Sequence, residues 1–81
     1  MTDRKFFKDR VDAVNASQVE VEVNSPFSWV DIKAGGSEGV FLQGHEADEF
    51  IDTAKKVWEE LQDVTEDDCW KYLAYDFLET L

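Results

Sequence analysis

The sequence predicts a single α+β domain, residues 1–81, with the element order α-β-β-β-α-α and a three-stranded antiparallel sheet whose helices pack on one face. Residues 19–23 alternate valine with glutamate, which is the pattern of a half-buried strand. Residues 45–63 and 65–81 repeat apolar residues at helical spacing. A chain of 81 residues has room for one small core.

The first helix is predicted over residues 3–14, with Thr2 or Asp3 as its cap. Its apolar side comprises Phe6, Phe7, Val11 and Val14. The same helix carries four basic residues, and we expect them to form a solvated face that pairs with acids elsewhere in the chain. These residues are Arg4, Lys5, Lys8 and Arg10.

Three strands are predicted at Val19–Val23, Phe27–Lys33 and Val40–Leu42. A turn at residues 24–26 and a glycine-rich hairpin loop at residues 34–39 join them, so the strands should pair as an antiparallel meander. The core face should hold Val19, Val21, Val23, Val30 and Ile32. The opposite face should hold Phe27, Trp29, Asp31, Glu20 and Glu22.

Two helices complete the chain. The first of them is predicted over His45–Asp63, because its apolar residues fall within an arc of about 120°. Those residues are Ala47, Phe50, Ile51, Ala54, Val57, Trp58 and Leu61. The last helix begins at Thr65, where the acids that follow nearly complete a capping box. Its apolar face should comprise Trp70, Leu73, Ala74, Phe77, Leu78 and Leu81, and Tyr72 and Tyr75 should project from the far side, near Asp68 and Glu79.

The charge is strongly negative and unevenly distributed. Nineteen acidic and eight basic residues give −11, and residues 45–81 hold twelve of the acids and three of the bases, or −9. Such a field repels nucleic acid and anionic membrane, and it attracts basic protein surfaces. The chain shows no signal peptide and no apolar run of the ~20 residues that span a bilayer, and Cys69 is its single cysteine. We therefore expect a cytoplasmic protein, in the host cytoplasm if it is phage-encoded.

Catalytic and metal-binding patterns are sparse, so neither an enzyme nor a metal or cofactor site is expected. With one histidine and one cysteine, the chain is poorly supplied for nucleophilic triads. Cys69 is interpreted as a small core residue and His45 as a loop or cap residue. The glycine-rich loop lacks the features of a phosphate-binding loop, and residues 63–76 lack the pattern of a calcium-binding loop.

Acidic residues on the polar side of the last two helices are the candidate binding site. A solvated face relieved by pairs such as Asp52–Lys56 would explain part of the pattern. A row of carboxylates also resembles a phosphate backbone in sign and spacing, and exposed tyrosines would add specificity. The candidate residues are Asp48, Asp52, Glu59, Asp63, Glu66, Asp67, Asp68, Tyr72, Tyr75 and Glu79.

Two families share this order of elements up to the second helix. Double-stranded-RNA-binding domains carry a basic cluster at the start of their last helix, but residues 45–49 here are His-Glu-Ala-Asp-Glu, which is the wrong charge for that role. The whole chain also resembles small acidic phage-encoded nucleic-acid mimics of the anti-CRISPR, Cas9-blocking kind. The likeness lies in the order of elements, the length, the amphipathic helix from Phe50 to Leu61 and the acid- and aromatic-rich helix from Glu66. It implies a partner that binds DNA.

The leading functional hypothesis is a non-enzymatic inhibitor that imitates DNA or RNA charge and occupies the basic surface of a host nucleic-acid-handling protein. An immunity protein or antitoxin that neutralises a basic toxin would present the same acidic surface. A plain adaptor or scaffold module would instead use the sheet face around Phe27 and Trp29.

Overall fold

The computed structural model describes residues 3–34 and 39–80, without the side chains of residues 34, 79 and 80. The predicted order of elements and the three-stranded antiparallel sheet are confirmed. The elements are α1 (Arg4–Ala16), β1 (Val19–Asn24), β2 (Trp29–Ala34), β3 (Val40–Gln43), α2 (His45–Leu61), α3 (Glu66–Ala74) and a 3-10 segment (Tyr75–Thr80). Thr2, Leu81 and residues 35–38 of the predicted hairpin loop lie outside the described residues.

The sheet has the order β1-β2-β3, and each neighbouring pair is antiparallel. Its inner face turns Val30 and Ile32 towards the helices, where both are fully buried beside Phe50 and Ile51 of α2. α3 packs against both α1 and α2. Because α3 has a helix on either side, it must bury more of its circumference than a helix with one neighbour.

α1 begins where predicted, since the Asp3 carboxylate accepts a hydrogen bond from the N–H of Phe6. Phe7, Val11 and Val14 are buried, as their spacing predicts. The prediction for Phe6 is wrong, because its side chain is 55% exposed. Adjacent helical residues point about 100° apart, so Phe6 faces away from the core when Phe7 enters it.

β2 begins two residues later than predicted. Residues 25–28 form a turn in which Asn24 Oδ1 accepts from the N–H of Phe27, and Ser28 takes a left-handed conformation with φ of 52°. Phe27 therefore belongs to the turn, where it is 79% exposed. Trp29 and Asp31 lie in β2 on the face predicted for them, since Asn24 is opposite Trp29 and Glu22 is opposite Asp31.

α2 ends two residues earlier than predicted. Gln62 adopts the left-handed conformation with φ of 63° and donates its N–H to the carbonyl of Trp58, so Asp63 lies beyond the helix. Trp58 was predicted to be buried, but it is 42% exposed. It lies in the last turn of α2, and its indole N–H donates to the carbonyl of Val64 over 2.9 Å.

α3 begins at the predicted cap, because Thr65 Oγ1 accepts from the N–H of Asp68 over 3.1 Å. The α-helix ends at Ala74 and continues as the 3-10 segment, which was not predicted. Ala74 is buried, and four other members of the predicted apolar face are half-buried against the core: Trp70, Leu73, Phe77 and Leu78.

Candidate acidic binding surface

Seven of the predicted acidic residues lie on α2, on α3 or between them, and together they are called the acidic surface. Asp48, Asp52 and Glu59 are exposed on α2, Asp63 is exposed in the connection, and α3 begins with Glu66, Asp67 and Asp68. Of these, only Asp68 is half-buried. The side chain of Glu79, the eighth predicted acid, lies outside the description of the 3-10 segment.

Two members of the acidic surface are neutralised by cations of this chain. Arg4 pairs with Asp63 through its guanidinium and also donates to the carbonyl of Leu61 over 2.9 Å. The hydrogen bond from Arg4 lowers the pKa of Asp63. Asp67 pairs with Lys71 one turn along α3, at 3.2 Å. The Arg4–Asp63 and Arg10–Asp76 pairs agree with the expectation that basic residues of α1 pair with acids elsewhere, whereas Lys5 and Lys8 form no ion pair with a described residue.

Lysines also interrupt the predicted acidic stripe of α2. Lys55 falls between Asp52 and Glu59 on the outward side of the helix, because residues three and four apart share a helical face. The expected Asp52–Lys56 ion pair is absent, although both residues are within the described part of the chain. The stripe is therefore divided into an acidic group near the start of α2 and another around the start of α3.

Four of the seven carboxylates of the acidic surface occupy the first turns of helices. Asp48 lies in the first turn of α2, and Glu66, Asp67 and Asp68 lie in the first turn of α3. The positive end of the helix dipole stabilises a carboxylate there by about 0.3–1 kcal/mol. These acids consequently have a structural role within the monomer, which their sequence pattern did not separate from a binding role.

Glu59 is different, because it lies in the last turn of α2, where the helix dipole is negative. It is exposed and forms no ion pair with any residue in the described ranges. Trp58 beside it is 42% exposed, and the two line a shallow depression of about 320 Å³ together with Gln62. We call Trp58, Glu59, Gln62 and Glu66 the corner site, since they lie where α2 turns into α3.

The corner site is held by three local interactions. The indole N–H of Trp58 donates a hydrogen bond to the carbonyl of Val64, Gln62 ends α2 in a left-handed conformation, and Thr65 caps α3. Sequence reasoning missed the exposure of Trp58, because the residue has the spacing of a core position. Trp58 lies closer to the centre of the apolar arc than Ile51, which is buried, so helical periodicity carries no signal of this exposure.

Tyr72 corrects the prediction that both tyrosines project from the far side of α3, whereas Tyr75 is 36% exposed and begins the 3-10 segment. The Tyr72 ring is half-buried, with its centroid 5.0 Å from that of Phe7. The guanidinium carbon of Arg10 lies 5.5 Å from the Tyr72 centroid and 4.7 Å from the Tyr75 centroid. Both tyrosines therefore connect the C-terminal part of the chain to α1.

Cys69 is a core residue, as predicted, with no exposed surface. Burial raises the pKa of its thiol to about 11, and the charges of Asp68 and Glu66 act in the same direction. The thiol is therefore protonated at neutral pH, whereas a nucleophilic cysteine needs a thiolate. His45 is the exposed first residue of α2, following the cap Gly44.

Residues 3–34 and 39–80 contain no group of three histidine, cysteine or acidic residues that could hold a metal ion. None of the helices in these ranges is long and apolar enough to cross a membrane. Comparisons of the chain with protein-family models, curated proteins and solved structures find no match.

Proposed function

We propose that this protein is a non-enzymatic inhibitor that occupies the basic nucleic-acid-binding surface of another protein, and that the corner site makes the central contact. The observation that carries the proposal is the position of Glu59. It is an exposed carboxylate at the negative end of a helix dipole, where it weakens α2, and no described residue forms an ion pair with it. A basic partner would supply the missing counter-charge.

Trp58 supports the same location. Tryptophan and arginine dominate binding energy in protein interfaces, where an aromatic side chain is surrounded by polar residues that exclude water. Trp58 is 42% exposed yet fixed by its bond to Val64, so little conformational entropy remains to be lost on binding. An arginine of the partner would stack on the indole ring and pair with Glu59.

The charge around the corner site supports a partner that binds nucleic acid. The net charge of −9 on residues 45–81 accelerates encounter with a basic surface and repels acidic ones. Because Asp63 and Asp67 are paired within the chain, the members of the acidic surface at the corner site that remain available to a partner are Glu59 and Glu66.

The test captures proteins from a cell lysate on the immobilised chain and challenges them with a DNA duplex of about 20 base pairs. We expect the duplex to release the captured protein, and we expect the double variant Glu59→Lys/Glu66→Lys to capture at least tenfold less of it. The matched control is Asp9→Lys/Asp12→Lys, which changes the net charge equally but lies on α1.

Two results would overturn the proposal. Equal loss in both double variants would show that net charge alone drives capture and that the corner site has no special part. A captured protein that DNA does not displace would indicate an immunity protein or antitoxin, because a toxin of that kind need not use its nucleic-acid site for binding. Capture should also weaken steeply between about 0.05 and 0.5 M salt.

A further inference from the structure

The face of the sheet opposite the helices is open among the described residues, and it combines aromatic with acidic side chains. Alternation along each strand and the pairing register place eight residues on this open face. They are Glu20, Glu22, Asn24, Trp29, Asp31, Lys33, Phe41 and Gln43. Val30 and Ile32, which point the other way, are fully buried.

The β3 side of the open face is aromatic, together with Trp29 at the start of β2. The rings of Trp29 and Phe41 stack across β2 and β3 with centroids 5.9 Å apart and planes 24° apart. Phe41 remains 52% exposed, and Phe27, two residues before Trp29, is 79% exposed. Two exposed aromatic side chains and the half-buried Trp29 thus lie on β2, on β3 and in the turn before β2, although single exposed aromatics are the usual case on a monomer.

The β1 side of the open face is acidic, and the acids extend to β2, where Asp31 lies opposite both Glu22 and Phe41. The register sets Glu22 opposite Asp31 and Glu20 opposite Lys33. Lys33 pairs with Asp31 at 3.1 Å, and the hydrogen bond to Asp31 raises the pKa of Lys33, as do the charges of Glu22 and Glu20. Lys33 is therefore the one cation among three carboxylates on this side of the open face. The local net charge is −2, which attracts a second cation.

The dimensions of the open face limit what it can bind. Six residues of extended strand and three strands give a surface of about 20 Å by 14 Å, or roughly 280 Å². A stable specific interface needs about 800 Å² on each partner. A second copy of this chain would also bring an equally acidic face against this one. Both arguments favour a short segment over a homodimer.

We propose that the open face is a docking site for a short, cationic segment of a partner protein that carries apolar anchor residues. The anchors pack on Trp29, Phe41 and Phe27, and arginine or lysine pairs with Glu20 and Glu22. Arginine fits best, because its guanidinium stacks on an aromatic ring while it binds a carboxylate.

This site goes beyond the inhibitory contact proposed for the corner site. The open face belongs to the sheet layer and the corner site to the helix layer, and the molecule measures 16 Å across its thinnest dimension. Occupation of one surface leaves the other accessible. The chain would then bring a cationic segment to the protein held at its corner site.

The test is an NMR titration of the ¹⁵N-labelled full chain with a synthetic peptide of alternating arginine and leucine, about ten residues long. The indole N–H of Trp29 reports on the open face, that of Trp58 reports on the corner site, and that of Trp70, which packs against the core, is the internal reference. We expect a saturable shift at Trp29 and at the amides of Glu22 and Asp31. A peptide with glutamate in place of arginine should give none.

Variants separate binding at the open face from an effect of net charge. Phe41→Ser and Glu22→Lys should each weaken the peptide at least about fivefold. Asp9→Lys, an equal change of charge on α1 and outside both sites, should leave the affinity within twofold. Two results would overturn the proposal. In one, the peptide shifts Trp58 without Trp29. In the other, Trp29 shifts with protein concentration alone and sedimentation shows a dimer, so that a second copy occupies the face.

Discussion

Arg10 connects α1 to the C-terminal part of the chain, and its replacement tests how that contact is stabilised. Its guanidinium carbon lies 4.5 Å from the ring centroid of Phe6, 5.5 Å from that of Tyr72 and 4.7 Å from that of Tyr75. The guanidinium also pairs with Asp76 at 3.0 Å, while its Nε is buried without a hydrogen-bond partner.

The expected cost of Arg10→Ala is about 2 kcal/mol of the free energy of unfolding. Three cation–π contacts at about 0.5–1 kcal/mol each contribute roughly 1.5–3 kcal/mol. The ion pair adds about 0.2–1 kcal/mol, because the Asp76 side chain is 64% exposed and solvent screens its charge. Removal of the buried Nε, which lacks a hydrogen-bond partner, offsets this loss of stability by about 1 kcal/mol. The rings therefore dominate the sum.

Urea unfolding followed by tryptophan fluorescence measures these differences. Arg10→Lys should cost about 1 kcal/mol, because it keeps the charge and loses the planar stacking. Asp76→Asn is the matched control and should cost less than about 0.5 kcal/mol. If Asp76→Asn destabilises the protein as much as Arg10→Ala does, the ion pair is the main contact and the reasoning from the rings is refuted.

Three further predictions concern the sheet and the core. Ile32→Ala removes a fully buried side chain from the central strand, so we expect urea unfolding to show a loss of 2–5 kcal/mol, and a loss below 1 kcal/mol would contradict the placement of Ile32 in the core. Gly39→Ala should destabilise the protein more than Gly44→Ala does, because a Cβ at Gly39 would lie 2.1 Å from the carbonyl oxygen of Ile32. A Cβ at Gly44 would meet open space, and only the strain of its φ of 61° opposes the substitution. The reverse order of melting temperatures would refute this. The Cys69 thiol, with its pKa raised to about 11, should react with iodoacetamide at least tenfold more slowly in the native protein than in guanidinium at pH 9, and equal rates would show that the thiol is accessible.

Local sequence patterns are enough to predict the order of elements, the antiparallel meander and most of the core. Each of these depends on local patterns: the Val-Glu alternation of β1, the apolar arc of α2 and the Thr65 cap of α3 all act within a few residues. The burial of Cys69 followed from the same helical periodicity. Short connections between the strands left antiparallel pairing as the available arrangement.

Which polar and aromatic residues remain accessible depends instead on contacts between elements that are distant in the sequence. Asp63 is neutralised by a residue 59 positions away, and Asp76 by one 66 positions away, distances over which a sequence pattern carries no information. Tyr72 turns inward because α3 packs between two helices, while its sequence shows only one apolar face. Trp58 is exposed because α2 ends at Leu61 and the chain turns there, so the candidate binding site is defined by packing between elements that the sequence predicts only one at a time.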